Sequence, residues 1–159
     1  MKFRLLVMAG VLSALAGCVQ TVQMQTPFDP AQHEFANKKG TATVAGQAFM
    51  RRNDGIVVYA AGSQVYLLPN TAYIQEIVSK AAGAYGTINI TNADQRLAQY
   101  IRRTQANGEG RFSFTGVADG SYIVGTNVSW MAGDYQQGGD LIQAVTISGG
   151  KSVDVILTR

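Results

Sequence analysis

The chain is expected to fold as a mainly β protein, an antiparallel β-sandwich of seven to nine strands with one helical insertion near 71–82. Three observations lead there. Short runs of alternating apolar and polar residues recur after Gly40, and Gly, Asn, Asp and Pro turn signals separate them at regular spacing. One stretch alone switches to a helical period. Composition agrees: of 159 residues only 14% are charged, 18 are glycine, and Val, Ile, Thr, Tyr and Phe are plentiful, a mixture suited to strands and tight turns.

Each element follows from its residues. Ala42, Val44, Gly46 and Ala48 share one face of a first strand, with Thr41, Thr43, Ala45 and Gln47 on the other. Arg52-Asn53-Asp54-Gly55 makes a turn, because Asp-Gly accepts positive φ. Ile56 to Ala60 is a second strand; Gln64 to Leu68, after the break at Ala61-Gly62, is a third, ended by Pro69, which has no N–H for a ladder. Ile74, Ile77, Val78, Ala81 and Ala82 then recur at helical spacing, with Asn70 or Thr71 to cap the start, Lys80 in the last turn and Gly83 as a left-handed stop. Thr87 to Thr91 reads as a short strand. The stretch from Asp94 to Arg103 admits a helix capped by Asp94 or a strand near Gln99 to Gln105, and the strand is preferred because Asn107-Gly108-Glu109-Gly110 is a strong hairpin signal after it. That turn leads into Arg111 to Thr115, where Phe112 and Phe114 share a face. Past Asp119-Gly120, the residues Tyr122, Val124, Thr126, Val128 and Trp130 give the longest alternation, expected at the centre of a sheet. Met131 to Gly139 reads as a loop, and Leu141 to Ile147 with Ser152 to Leu157 as a final hairpin across Ser148-Gly149-Gly150-Lys151.

The region before Gly40 is of another kind. Lys2 and Arg4 precede an apolar stretch from Leu5 to Leu15 that is too short to span a bilayer but long enough for the core of an export signal. It ends in Leu15-Ala16-Gly17-Cys18, which resembles the lipobox of bacterial lipoproteins. The resemblance implies cleavage after Gly17, acylation of Cys18, and stable anchoring, since each buried methylene contributes about 0.8 kcal/mol. By the same resemblance Val19, not an aspartate, favours the outer membrane, facing the periplasm. Cys18 is the one cysteine, so acylation would leave no disulfide and no thiol nucleophile. From Val19 to Gly40 no periodicity is sustained. The chain is therefore divided into an export signal (1–17), a lipid anchor and flexible tether (18–40) with a reach of roughly 25 Å, and a sandwich domain (41–159). Phe28 and Phe35 are the tether residues able to dock on that domain.

Pieces of the domain resemble the carboxypeptidase regulatory-like domain, a prealbumin-like sandwich: Gly46-Gln47-Ala48, Gly62 with Val65, Leu67 and Pro69, Asn107 to Phe114, and Asp119-Gly120-Ser121-Tyr122. The stretch from Asn70 to Arg103 is longer than a minimal member requires. The resemblance implies a non-catalytic binding or structural module, or an accessory subunit of a separate envelope hydrolase, with a glycan or an envelope protein as partner.

Chemistry-bearing residues are sparse. A zinc centre needs three or four converging ligands and a serine nucleophile needs a histidine base, yet the one histidine, His33, falls in the tether. No metal, no cofactor and no enzymatic activity are expected. Glu76 and Asp94 are not brought together by spacing. Gly150-Lys151-Ser152 mimics the end of a phosphate loop, but Val145 stands where its first glycine belongs and no helix follows. Asp54, Glu109 and Asp119 form no acidic ladder for calcium. Removing Lys2 and Arg4 with the signal leaves eleven cations against ten acids, so the basic charge of +3 is no argument for nucleic acid. Arg51-Arg52 and Arg102-Arg103 read as solvated strand-edge charges, or as contacts to anionic headgroups or lipopolysaccharide. Trp130, Met131 and Tyr135 are the candidate binding platform for a sugar or peptide, against the alternative that Trp130 closes the end of the core.

Overall fold

The structure, a computed structural model, describes residues 20–82 and 88–159. The export signal, Leu15-Ala16-Gly17-Cys18 and the helix stop at Gly83 lie outside the described residues. Ten strands and one α-helix occupy them: β1 (Gln20–Val22), β2 (Ala42–Arg51), β3 (Val57–Tyr59), β4 (Gln64–Pro69), α1 (Ala72–Ala82), β5 (Ile88–Ile90), β6 (Arg102–Gln105), β7 (Arg111–Val117), β8 (Gly120–Ala132), β9 (Tyr135–Ile147) and β10 (Val153–Leu157). No helix among the described residues is long and apolar enough to cross a membrane.

Two four-stranded sheets face each other. The first is built on β2, which pairs with β3, β7 and β10; the second runs β6-β4-β8-β9 and is antiparallel throughout. Alternation along β2 buries Ala42, Val44, Ala48 and Met50 inward. Gly46 shares that inner face, because a Cβ there would lie 2.2 Å from the Val155 carbonyl oxygen and 2.8 Å from the Phe112 ring. Along β7 the inward residues are Phe112, Phe114 and Val117; the last step is three residues because Gly116, at φ 66°, makes a bulge that shifts the register against β2. Opposite them, β4 and β8 supply Val65, Leu67, Tyr122, Val124 and Val128, and β9 supplies Leu141, Val145 and Ile147. Together these form one core between the sheets.

The second sheet is covered on its outer face as well. There Ile123 and Leu68 meet Tyr73, Ile74, Ile77 and Val78 of α1, together with Leu97, Ile90 and Met24. Burial on both faces explains why Tyr122 to Thr126 are buried without interruption. Thr71 caps α1, its hydroxyl accepting from the Ile74 N–H at 3.3 Å, and the helix lies where the apolar stripe places it.

Three expectations about connectivity are corrected. The segment at Met131 to Gly139 is not a loop: β8 and β9 continue through it in register from Gly120↔Ile147 to Ala132↔Tyr135, so Gly133-Asp134 is a two-residue hairpin tip. Asn107 to Gly110 does not close a hairpin, since β6 pairs with β4 while β7 pairs with β2. The turn at Ser148 to Lys151 likewise crosses between sheets, because β10 runs parallel to β2 from Val153↔Val44 to Leu157↔Ala48. The sandwich is therefore antiparallel except at this pair. Between Asp94 and Arg103 both drawings hold in part: a short 3-10 helix, Gln95–Tyr100, capped by the Asp94 carboxylate, runs into β6.

Residues 20–40 are not a free tether. β1 pairs in parallel with β5, and Asn92 clamps the Met24 backbone, accepting from its N–H at 2.7 Å and donating to its carbonyl at 3.1 Å. The Glu76 carboxylate accepts from the Gln25 and Thr26 N–H groups at 2.8 and 2.7 Å. Phe28 lies 4.6 Å from the His33 ring and edge-on 5.2 Å from Tyr73, while Phe35 packs edge-on against Tyr122. The segment is a strap folded over the outer face of the second sheet and round to the start of β8.

Candidate functional site

An open recess lies at one end of the sandwich, where three strands run out together. β2 ends at Arg51, the parallel β10 ends two residues before Arg159, and β8 reaches Trp130 at its far end. Between them is a cleft of about 610 Å³, lined by Met50 to Asp54 from the β2–β3 turn, by Trp130, Ala132, Gln137 and Gly138 from the β8–β9 hairpin, and by Arg159. Its size lies within the range of small-ligand sites.

Its geometry follows from strand register. Val128 points into the core, so Trp130 and Ala132 continue that inner face beyond the last core layer, and their cross-strand partners Gln137 and Tyr135 lie on it too. Trp130 is half-buried against the core and lines the cleft. Met131 falls on the opposite face, 61% exposed. The expected platform is therefore divided: Trp130 belongs to the cleft, Tyr135 stands on the same face at the hairpin tip, and Met131 is turned away. Sequence pattern missed that the β2–β3 turn and the C-terminus complete this site; the Arg51-Arg52 pair was the only sign of it.

Three arginines stand among the lining residues. The Arg52 guanidinium is paired with Asp54 at 2.6 Å. Arg51 Nη1 donates to the Gly55 carbonyl at 3.3 Å, and Arg159 Nη2 donates to the Gly138 carbonyl at 2.8 Å. Glycine at 138 keeps β9 close to β8, and glycine at 139 leaves room for Arg159. A Cβ at Gly138, φ 107°, would stand 2.0 Å from the Val128 carbonyl oxygen, and one at Gly139 would meet Arg159 Nη2 at 3.0 Å.

Elsewhere the polar residues are engaged in holding the fold. His33 is 1% exposed, with Nδ1 at 2.8 Å from the Asp29 carbonyl and Nε2 at 3.0 Å from the Thr71 hydroxyl. Glu76 is held down to about 2 by hydrogen bonds from the Thr26 side chain and the Gln25 and Thr26 backbone. Asp94 is lowered by its hydrogen bonds with Arg96 and accepts from the Arg96 N–H as a helix cap. The Gly149 and Gly150 N–H groups, which resemble a phosphate cradle, are occupied by the Asp119 carboxylate at 2.6 and 2.8 Å. Arg102 donates to the Thr115 carbonyl and lies over Phe114, and Arg103 lies over Tyr66. Among the described residues no three His, Cys, Asp or Glu side chains converge as metal ligands. A second, apolar groove of about 530 Å³ lies between α1 and the outer face, lined by Tyr66, Leu68, Ile77, Val78 and Ile142 among others.

No protein-family model and no curated protein matches this sequence. Among solved structures, the chain is similar to a protein of Pseudomonas aeruginosa described as a "putative carbohydrate binding protein", at a TM-score of 0.74 and 24% identity, over 84% of this chain and 99% of that one. It also matches the minor pilin of Streptococcus agalactiae (TM-score 0.42, 18% identity, 76% of this chain and 44% of that one). A third match is the major pilin subunit of Bacillus cereus (TM-score 0.44, 11% identity, 75% and 30%). The first likeness spans nearly the whole of its counterpart and establishes the β-sandwich fold.

Proposed function

We propose that this chain is an exported lipoprotein, acylated at Cys18 and held at the outer membrane, whose carboxypeptidase regulatory-like sandwich binds a glycan without catalysing a reaction on it. One observation carries the binding reading: an open cleft that brings Trp130 together with Gln137, Asn53 and three arginines in its lining. Sugars present alternating apolar C–H faces and hydroxyl edges. An aromatic wall takes the face, and fixed amide and guanidinium donors take the edge. The designation of the Pseudomonas aeruginosa protein, whose fold this chain shares, supports the same reading.

Trp130 is the only tryptophan, so intrinsic fluorescence reports directly on the cleft. The test is a titration of the full-length chain in detergent with envelope polysaccharides and with oligosaccharides released from peptidoglycan. A saccharide that shifts Trp130 emission in the wild type, and fails to do so after Gln137→Ala, is the expected result. Absence of any response across a broad saccharide panel, or a response untouched by Gln137→Ala, refutes the reading.

A further inference from the structure

The charge of the cleft narrows the ligand class. Resting on the glycan reading of the same site, we infer that the cleft selects an acidic saccharide, one carrying a carboxylate or phosphate on the sugar.

Three arginines, Arg51, Arg52 and Arg159, are among the residues lining the cleft, and Asp54 is the one acidic side chain among them. That carboxylate is neutralised by Arg52 at 2.6 Å. Arg51 and Arg159 are tethered by backbone carbonyls, at 3.3 and 2.8 Å, and a carbonyl orients a guanidinium without cancelling its charge. Each tether uses one of five donors, so each head keeps a fork able to grip an anion by two parallel bonds. Arg51 comes from the sheet of β2 and Arg159, from the same sheet, reaches across to the β9 backbone. Arg51 and Arg159 thus share the cleft's lining with Trp130, each held at a known anchor point, an arrangement for holding a charged substituent while the sugar ring lies on the indole.

Gly139 supports this assignment. At its φ of 147° a built Cβ stands 3.0 Å from Arg159 Nη2, so a side chain there would crowd the guanidinium against the β9 backbone. A neutral saccharide would use the tryptophan, the amides and the guanidinium N–H groups but gain nothing from their charge. An acidic one replaces water around both Arg51 and Arg159. Partly screened pairs of this kind are salt-sensitive, because the cleft is open to solvent.

The experiment uses Trp130 fluorescence of the full-length chain in neutral detergent with three probes of equal length: a galacturonate oligomer, a phosphorylated mannose oligomer and an uncharged glucose oligomer. Binding of an acidic probe about tenfold or more tighter than the neutral one, weakening as salt rises from about 0.05 to about 0.5 M, is the expected result. Arg159→Gln and, independently, Arg51→Gln should remove that advantage, lowering affinity for the acidic probe by a larger factor than affinity for the neutral one. Which acidic probe binds tighter identifies carboxylate or phosphate as the recognised group. Equal affinity for all three probes overturns the inference and leaves the glycan reading standing. An acidic preference that survives both arginine substitutions overturns it too, since the charge recognised then lies elsewhere. If no probe binds, the inference falls, and the broad saccharide panel decides the glycan reading separately.

Discussion

Replacing His33 by alanine separates a docked strap from a free tether. The Asp29 carbonyl can only accept, so His33 Nδ1 carries the proton, and Nε2 of that tautomer accepts from the Thr71 hydroxyl 3.0 Å away. Thr71 also caps α1, so the imidazole links the strap to the helix that covers the second sheet. Removing it leaves a buried hydroxyl with no acceptor, which costs about 1–3 kcal/mol. The Asp29 carbonyl is part-buried and recovers water at little cost. The ring also lies 4.6 Å from Phe28 and 5.4 Å from Tyr100, and losing those contacts adds about 1 kcal/mol. The sum is about 3 kcal/mol. Urea unfolding followed by Trp130 emission reads the loss if the strap unfolds with the sandwich. Limited proteolysis between residues 20 and 40 reads it if the strap opens alone. A histidine in a flexible linker would give neither effect. A change below about 0.5 kcal/mol together with an unaltered cleavage pattern would refute the docking argument.

Other predictions follow from single contacts. Glu76 is held at about 2 in the folded chain against an ordinary 4.5, so the stability it contributes is complete above pH 4.5 and drains away as pH falls toward 2; Glu76→Gln should abolish that part of the difference between urea midpoints at pH 5 and pH 2.5. Gly46→Val should cost about 3 kcal/mol in a urea melt, because the new Cβ meets the Val155 carbonyl at 2.2 Å and β10 must move. Cys18→Ser should abolish labelling by a fatty-acid probe and leave unprocessed precursor; undiminished labelling removes the lipid anchor from the account.

The elements were legible because they rest on local pattern. Period-two alternation marked β2, β4, β7 and β8, and the stripe through Ile74, Ile77 and Val78 marked α1. Partners were less so. Asn107 to Gly110 and Ser148 to Lys151 carry the Gly-rich chemistry of hairpin turns, yet a tight turn fixes only the change of direction. Where the next strand pairs depends on where Phe112, Phe114, Val155 and Leu157 find an opposing apolar layer, and that layer is the inner face of the second sheet. The strap escaped notice for a different reason. It is held by side chains that reach backbone groups about fifty to seventy residues away, from Asn92 and Glu76, and such bonds leave no period in the strap's own sequence.

The same distinction governs the site. Trp130 was visible as an aromatic at the end of a long alternation, but its neighbours were set by the pairing of β10. As the second strand of a hairpin with β9, β10 would still have returned the C-terminus to this end of the sandwich, but on the edge of the second sheet. Parallel pairing with β2 instead places Arg159 on the first sheet, beside the run-out of Arg51, and its guanidinium then spans to the Gly138 carbonyl on β9. The cleft thus draws its cations from one sheet and its aromatic wall from the other. Any substitution that loosens β10 from β2 should weaken ligand binding through loss of Arg159 before it disturbs Trp130, whose strand is paired on both sides through Gly125 and with β9 to the tip. Val155→Ala tests this ordering: binding of an acidic saccharide should fall while the emission spectrum of the unliganded protein stays unchanged.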